Sequence, residues 1–174
     1  MFLVPTAELT LSDIKVYRAQ AKEALIKRAQ QLGLVTGPEE LVIRDFLPNT
    51  DVATIPALNW WITGALVANT LYIYVNALVP PNNLIAFYKV CIESTNPAVA
   101  RILFQRGTNG ATTIGILEVE PLYTKEETEG YLSEPAVYDK SERVFIQILP
   151  RLASAGERVI FGAFIAEPVG NTVS

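Results

Sequence analysis

Residues 52–88 contain no Asp, Glu, Lys or Arg. A run of that length must cross a membrane, lie in a core, or be covered by another surface. A membrane-spanning helix needs about 20 predominantly apolar residues. The stretch 55–79 has the length, but Asn59, Asn69, Thr70 and Asn76 interrupt it, Pro56 stands near its start, and no Lys or Arg flanks it to set an orientation. Its second half alternates with period 2. Leu71, Ile73, Val75, Ala77 and Val79 fall on one side, and Thr70, Tyr72, Tyr74 and Asn76 on the other. The run therefore predicts strands with at least one buried face, and no membrane partner.

The same period governs most of the chain after Gly37-Pro38. Strands are predicted over residues 41–46, 84–93, 143–149 and 158–166. Two β-rich runs meet at Asn109-Gly110, a pair that favours hairpin turns. The acidic stretch 123–142 reads as a long surface loop, with one short strand near residues 136–138. Seven or eight strands without an intervening helix predict an antiparallel β-sandwich, jelly-roll-like or Greek-key.

The first part of the chain follows a different period. Thr10 and Asp13 resemble a capping box, residues 11–32 lack Gly and Pro, and Gly33 supplies a left-handed stop. Ile14, Tyr17, Ala21, Leu25 and Leu32 form one stripe of an amphipathic helix. This divides the chain into an arm with a helix, residues 1–37, and a sandwich domain, residues 38–174. Lys15, Arg18 and Lys22 cluster beside the stripe, with Lys27 and Arg28 beyond. A solvated face explains them, with Glu23–Lys27 as an i,i+4 pair. The sharper reading makes Lys15, Arg18 and Lys22 a partner-binding face for an acidic surface.

The charge-free strands pose a second question. With Leu71, Ile73 and Val75 in the core, Tyr72, Tyr74, Leu78, Ile85 and Phe87 face outward with no charge among them. Apolar outer faces mark interaction surfaces, whose cores favour aromatics over charges. These five residues, with Trp60 and Trp61, form the expected oligomer interface. Tyr72 and Tyr74 on one face also suit a sugar, which gives the alternative of a carbohydrate-binding module.

Catalytic chemistry is poorly supplied. The chain has no histidine, which removes Ser-His-Asp and Cys-His catalysis, cupin-type metal sites and HExxH chemistry. Cys91 is the single cysteine, so it excludes an intramolecular disulfide and a thiolate zinc site and reads as a small core hydrophobe. The net charge of −4 argues against nucleic acid. Glu118 and Glu120 could share a strand face, and Glu126, Glu127, Glu129 and Glu134 could attract calcium; a solvated sheet edge and a solvated loop explain both sets. No enzyme, cofactor or metal is expected. Residues 1–5 lack the basic start and long apolar core of a signal peptide, so a reducing cytosol is the expected place of synthesis and assembly.

The helix, the run "LVIRDFLPNTDVA" into "NWWITGALVANTLYIYVNALVPPNN", the body "RILFQRGTNGATTIGILEVEPLY" and the ending "RVIFGAFIAEPVG" together resemble virion structural proteins of tailed bacteriophages. They look most like the head decoration, or cement, proteins. The resemblance implies a non-catalytic β-sandwich, often a homotrimer, that binds the major capsid protein of a virion shell and clamps its subunits. It implies assembly in the host cytoplasm and residence in the virion. A tail, baseplate or minor capsid protein would share these traits.

Overall fold

The computed structural model describes residues 1–52, 62–94, 96–123 and 127–170. In chain order the elements are strand β1 (Leu3–Pro5), helix α1 (Leu11–Gln31), strand β2 (Leu41–Asp45), a helical turn α2 (Pro48–Asp51), then β3 (Tyr72–Leu78), β4 (Leu84–Glu93) and β5 (Val99–Arg106). They continue with β6 (Thr112–Glu118), a turn α3 (Glu120–Tyr123), β7 (Glu129–Tyr138), β8 (Arg143–Pro150) and β9 (Arg158–Pro168).

The strands form two antiparallel sheets, a five-stranded sheet ordered β1-β7-β4-β9-β2 and a four-stranded sheet ordered β3-β8-β5-β6. The pairings β5·β6, β4·β7, β3·β8 and β2·β9 are nested, as if one long hairpin had been rolled across two sheets. This is a jelly roll of two Greek keys, with β1 added beside β7. The antiparallel β-sandwich expected from sequence is the fold.

Helix α1 begins and ends as its sequence dictates. Thr10 Oγ1 accepts from the Asp13 backbone N–H at 3.2 Å, and Asp13 accepts from the Thr10 N–H at 2.8 Å, closing the capping box. At the other end Gly33 adopts φ +64°. Leu34 N–H then reaches the Ala29 carbonyl and Gly33 N–H the Gln30 carbonyl, both at 3.0 Å. The helix lies on the outer face of the five-stranded sheet. Ala21, Leu25 and Ala29 are fully buried there against Leu84, Ala86, Tyr88, Tyr131, Phe164 and Ala166. The small side chains at 21 and 29 let the helix approach the sheet.

The molecule therefore has three layers and two cores. Between the sheets lie Ile85, Phe87, Ile92, Ile102, Phe104, Leu117, Ile146, Ile148 and Phe161. Phe87 sits at the middle, edge-on to Phe46, Tyr138 and Phe161 with ring centroids 5.7–6.0 Å apart. β4 separates the two cores, so both of its faces are dry over residues 84–88. Ile85 and Phe87 meet the other sheet, while Leu84, Ala86 and Tyr88 meet the helix.

The stretch expected as a long loop is instead largely β7, ten residues in the interior of the larger sheet between β1 and β4. Its charges misled the reading because they sit where partners meet them. Glu129 pairs with Lys89, and Glu134 with the Met1 amino group at 3.3 Å. The hairpin at Asn109-Gly110 is present. Both residues adopt positive φ, +55° and +70°, and residues 107–111 close the loop between paired Arg106 and Thr112.

Candidate functional site: an uncovered apolar sheet face

The expected outward face does not form as written. Ile85 and Phe87 are fully buried in the inter-sheet core. Tyr72 and Tyr74 pack partly buried against the same core. Tyr74 Oη donates to the Val159 carbonyl at 2.6 Å, and burial pushes its phenol well above the ordinary range. Tyr72 Oη accepts from the Val67 N–H at 2.8 Å. The two rings are therefore no sugar platform. Trp60 and Trp61 lie outside the described residues.

A β-bulge causes the exchange of faces. Ile73 pairs with Gln147 and Val75 with Ile146, which leaves Tyr74 as an extra residue in β3. One inserted residue reverses the side assignment before it. Val75 and Ala77 stay inside as expected, but Tyr72 turns in, and Leu71 and Ile73 turn out at 47% and 58% exposure. Leu78, 49% exposed, is the member of the expected set that does face solvent.

The outer face of the four-stranded sheet can now be read row by row. One row crosses Ile73, Gln147, Leu103 and Ile116; the next crosses Asn76, Phe145, Gln105 and Thr113. Leu149, Arg101 and Glu118 lie above these rows, and Leu78 with Arg143 below. Ile116 is 46% exposed, like Leu71 and Leu78. The charges on this face already have partners: Arg101 Nε meets Glu118 at 2.6 Å, and Arg143 donates to Asn76 Oδ1 at 2.6 Å. Phe145 is the buried member. The loop at Gly110 folds over it so closely that a Cβ there would stand 2.7 Å from its ring. Sequence reading missed this face because its members come from four strands that are not all neighbours in sequence.

The basic helix face is largely spent within the chain. Arg18 lies 5.1 Å from the Phe164 ring and 5.8 Å from the Tyr88 ring, with Asp45 at 3.6 Å. Lys22 lies 5.0 Å from the Phe164 ring. Lys15 is exposed. Lys27 and Glu23 pair at 2.8 Å as an i,i+4 pair. Arg28 grips Asp139 with two hydrogen bonds of 2.7 and 2.5 Å, and that pairing raises its pKa. A groove of about 410 Å³ lies beside it, lined by Lys27, Arg28, Arg106 and Asp139 among others. Each of its cations has a carboxylate partner, Arg106 through Glu142 at 3.4 Å, so it offers no free charge to an anion.

The chemical candidates stay apart. Glu118 ends β6 and Glu120 opens α3, so they do not share a strand face. Cys91 is half-buried on β4 instead of lying in the core, and burial raises its thiol pKa. Glu126 lies outside the described residues. Among the described residues no three His, Cys, Asp or Glu side chains gather to hold a metal ion, and no helix is long and apolar enough to cross a membrane.

No family model matches the chain, and no curated protein matches it. Among solved structures the chain is similar to one reported under the description "Bacillus endospore appendages form a novel family of disulfide-linked pili". The two share 14% identity over 75% of this chain and 89% of that one, with a TM-score of 0.35.

Proposed function

We propose that this chain is a non-catalytic structural protein of a tailed-bacteriophage virion, a decoration protein that self-associates and binds the major capsid protein of the shell. The observation that carries the reading is the uncovered apolar face of the four-stranded sheet, with Leu71, Ile73, Leu78 and Ile116 held toward solvent. A solvated sheet face would ordinarily carry polar or charged residues at these positions, and their replacement by exposed apolar side chains supports association. The virion placement rests on the sequence resemblance. The jelly roll supports it by analogy, since viral capsid domains use this fold along with lectins and cupins. Fold by itself does not assign function. Of the other two classes, a cupin-type metal site lacks its histidines and the sugar-binding reading loses its tyrosine platform.

Antibodies raised against the purified chain test the proposal on particles of the phage whose genome encodes it. Gold-labelled antibody should decorate heads at regular positions. Label confined to the tail would move the protein to a tail or baseplate role, and purified particles without the chain would end the virion reading.

A further inference from the structure

We propose that Asn109 is a site of spontaneous deamidation, gated by the loop that closes over Phe145, and that its conversion to isoaspartate uncovers that ring. The inference stands apart from the virion reading and concerns a different property of the molecule.

The chemistry uses the backbone itself. In deamidation the amide nitrogen of the following residue loses its proton and attacks the asparagine Cγ. A C–N bond forms, the Cγ–Nδ2 bond breaks, and the nitrogen leaves as ammonia carrying that proton. Water then opens the five-membered succinimide. Opening at one carbonyl gives aspartate; opening at the other gives isoaspartate, whose main chain runs through the side-chain carbon. A side chain on the following residue hinders the attack, so glycine is the most permissive neighbour. Asn109 is the single asparagine of this chain followed by glycine.

The fold requires this pair. Gly110 sits at φ +70°, and a Cβ there would stand 2.7 Å from the Phe145 ring and 2.8 Å from Gln105 Oε1. The close fit over buried Phe145 therefore demands the residue that leaves Asn109 labile. Asn109 is exposed, and its carboxamide is bonded to no other described residue. By contrast, Asn76 accepts from Arg143 at 2.6 Å, and Asn83 donates to Glu167 at 3.4 Å.

The same loop holds the reaction back. Asn109 adopts φ +55° and ψ +28°. That ψ puts the Gly110 nitrogen on the far side of the Cα–C bond from Asn109 Cβ, whereas the five-membered ring needs both on one side. The Gly110 N–H also donates to the Gly107 carbonyl at 3.2 Å. Ring closure thus waits for the loop to open, and exposed loops open at far lower cost than the whole fold. Isoaspartate lengthens the main chain by one carbon before residue 110. The Gly107–Gly110 turn then no longer closes in register over Phe145. The ring is uncovered on the sheet face that already exposes Ile73 and Ile116, and the loop gains a negative charge.

Warm incubation of the purified chain in mildly alkaline buffer tests this, with the same chain in urea alongside. Peptide mapping by mass spectrometry and enzymatic labelling of isoaspartate follow the reaction. Asn109 should convert in both samples ahead of every other asparagine. In the folded chain it should convert about ten- to a hundredfold more slowly, because the loop must open first. Asn109→Gln should remove the signal, since its attack would need a six-membered ring. The isoaspartyl form, separated by its extra charge, should melt lower than the parent and bind more of the hydrophobic dye ANS. Asn109→Asp adds the charge alone and should melt with the parent, because aspartate also accepts the left-handed conformation. Absence of conversion in the folded chain, equal rates with and without urea, or faster conversion at another asparagine overturns the proposal. So does an isoaspartyl form that melts and binds dye like the parent.

Discussion

Leu25→Ala separates a helix that belongs to the fold from an arm held out for a partner. Leu25 is fully buried between α1 and the larger sheet, in the cluster containing Leu84, Tyr88 and Phe164. The substitution removes three carbons, worth about 2.4 kcal/mol at ~0.8 kcal/mol each. The fixed sheet beneath cannot collapse fully into the space, and core Leu→Ala changes cost about 2–5 kcal/mol overall. A loss of about 3 kcal/mol follows, which for a chain of this size lowers the melting temperature by roughly 6–12 °C. Calorimetry and urea unfolding by circular dichroism both measure it, with Lys15→Ala as the exposed control expected within about 0.5 kcal/mol. The transition should stay single, because the helix covers one face of the central β4. A change below about 0.5 kcal/mol, or an early separate melting of the helix, would mean that α1 does not cover the sheet.

Arg44→Ala should destabilise by about 3 kcal/mol, because Arg44 holds two nearly buried carboxylates, Asp51 at 2.6 Å and Glu167 at 2.7 Å, and removing it leaves both uncompensated. A loss under about 1 kcal/mol in urea would show that water compensates them. Gly110→Ala should cost about 1–3 kcal/mol, since φ +70° is unfavourable for alanine and the new Cβ meets the Phe145 ring and Gln105 Oε1; an unchanged melt would refute the tight loop. At high pH, burial raises the phenols of Tyr74, Tyr123 and Tyr138 well above the ordinary value of 10.0. Raised acids bind more protons folded than unfolded, so their contribution is complete below pH ~10 and is lost as pH rises beyond it. The tyrosinate absorbance due to these three, read as the difference between the intact chain and its Tyr74→Phe, Tyr123→Phe and Tyr138→Phe variants, should accordingly appear only with unfolding; its appearance in a folded chain would refute the burial.

Much of the architecture was legible because it is local. Thr10 and Asp13, the stripe through Ala21 and Leu25, and Gly33 specify α1 without reference to the rest of the chain. Period 2 and turn residues specify most strands. Two kinds of information were not local. The destination of α1 depends on which sheet face has room for Ala21 and Ala29, and that depends on β4, β7 and β9 having already come together. The faces of β3 depend on the bulge at Tyr74, which no residue type announces. A period-2 pattern extrapolated through a bulge misassigns every residue on one side of it. Leu71 and Ile73 were therefore placed inside and Tyr72 and Tyr74 outside. β7 was hidden for a third reason: Glu129 looks like a solvent residue until Lys89 is brought beside it, and Glu134 stays exposed within the strand, beside the Met1 amino group.

The charge-free strands thus divide their burial between different layers. Over residues 84–88 of β4 the absence of charge is fully explained within one chain, since a segment with the second sheet on one face and a helix on the other has no wet side. No second subunit is needed for Ile85 or Phe87. β3 differs, because its one-sided core leaves Ile73 and Leu78 in water together with Leu71 just before it. A sheet that needs only one dry face would ordinarily alternate with charged residues on the other. Across the middle row of the smaller sheet the sequence supplies isoleucine, glutamine, leucine and isoleucine instead. The demand for a covering layer is therefore absent where sequence reading placed it, at Ile85 and Phe87. Exposed apolar side chains stand instead on the outer face of the smaller sheet, at Leu71, Ile73, Leu78 and Ile116.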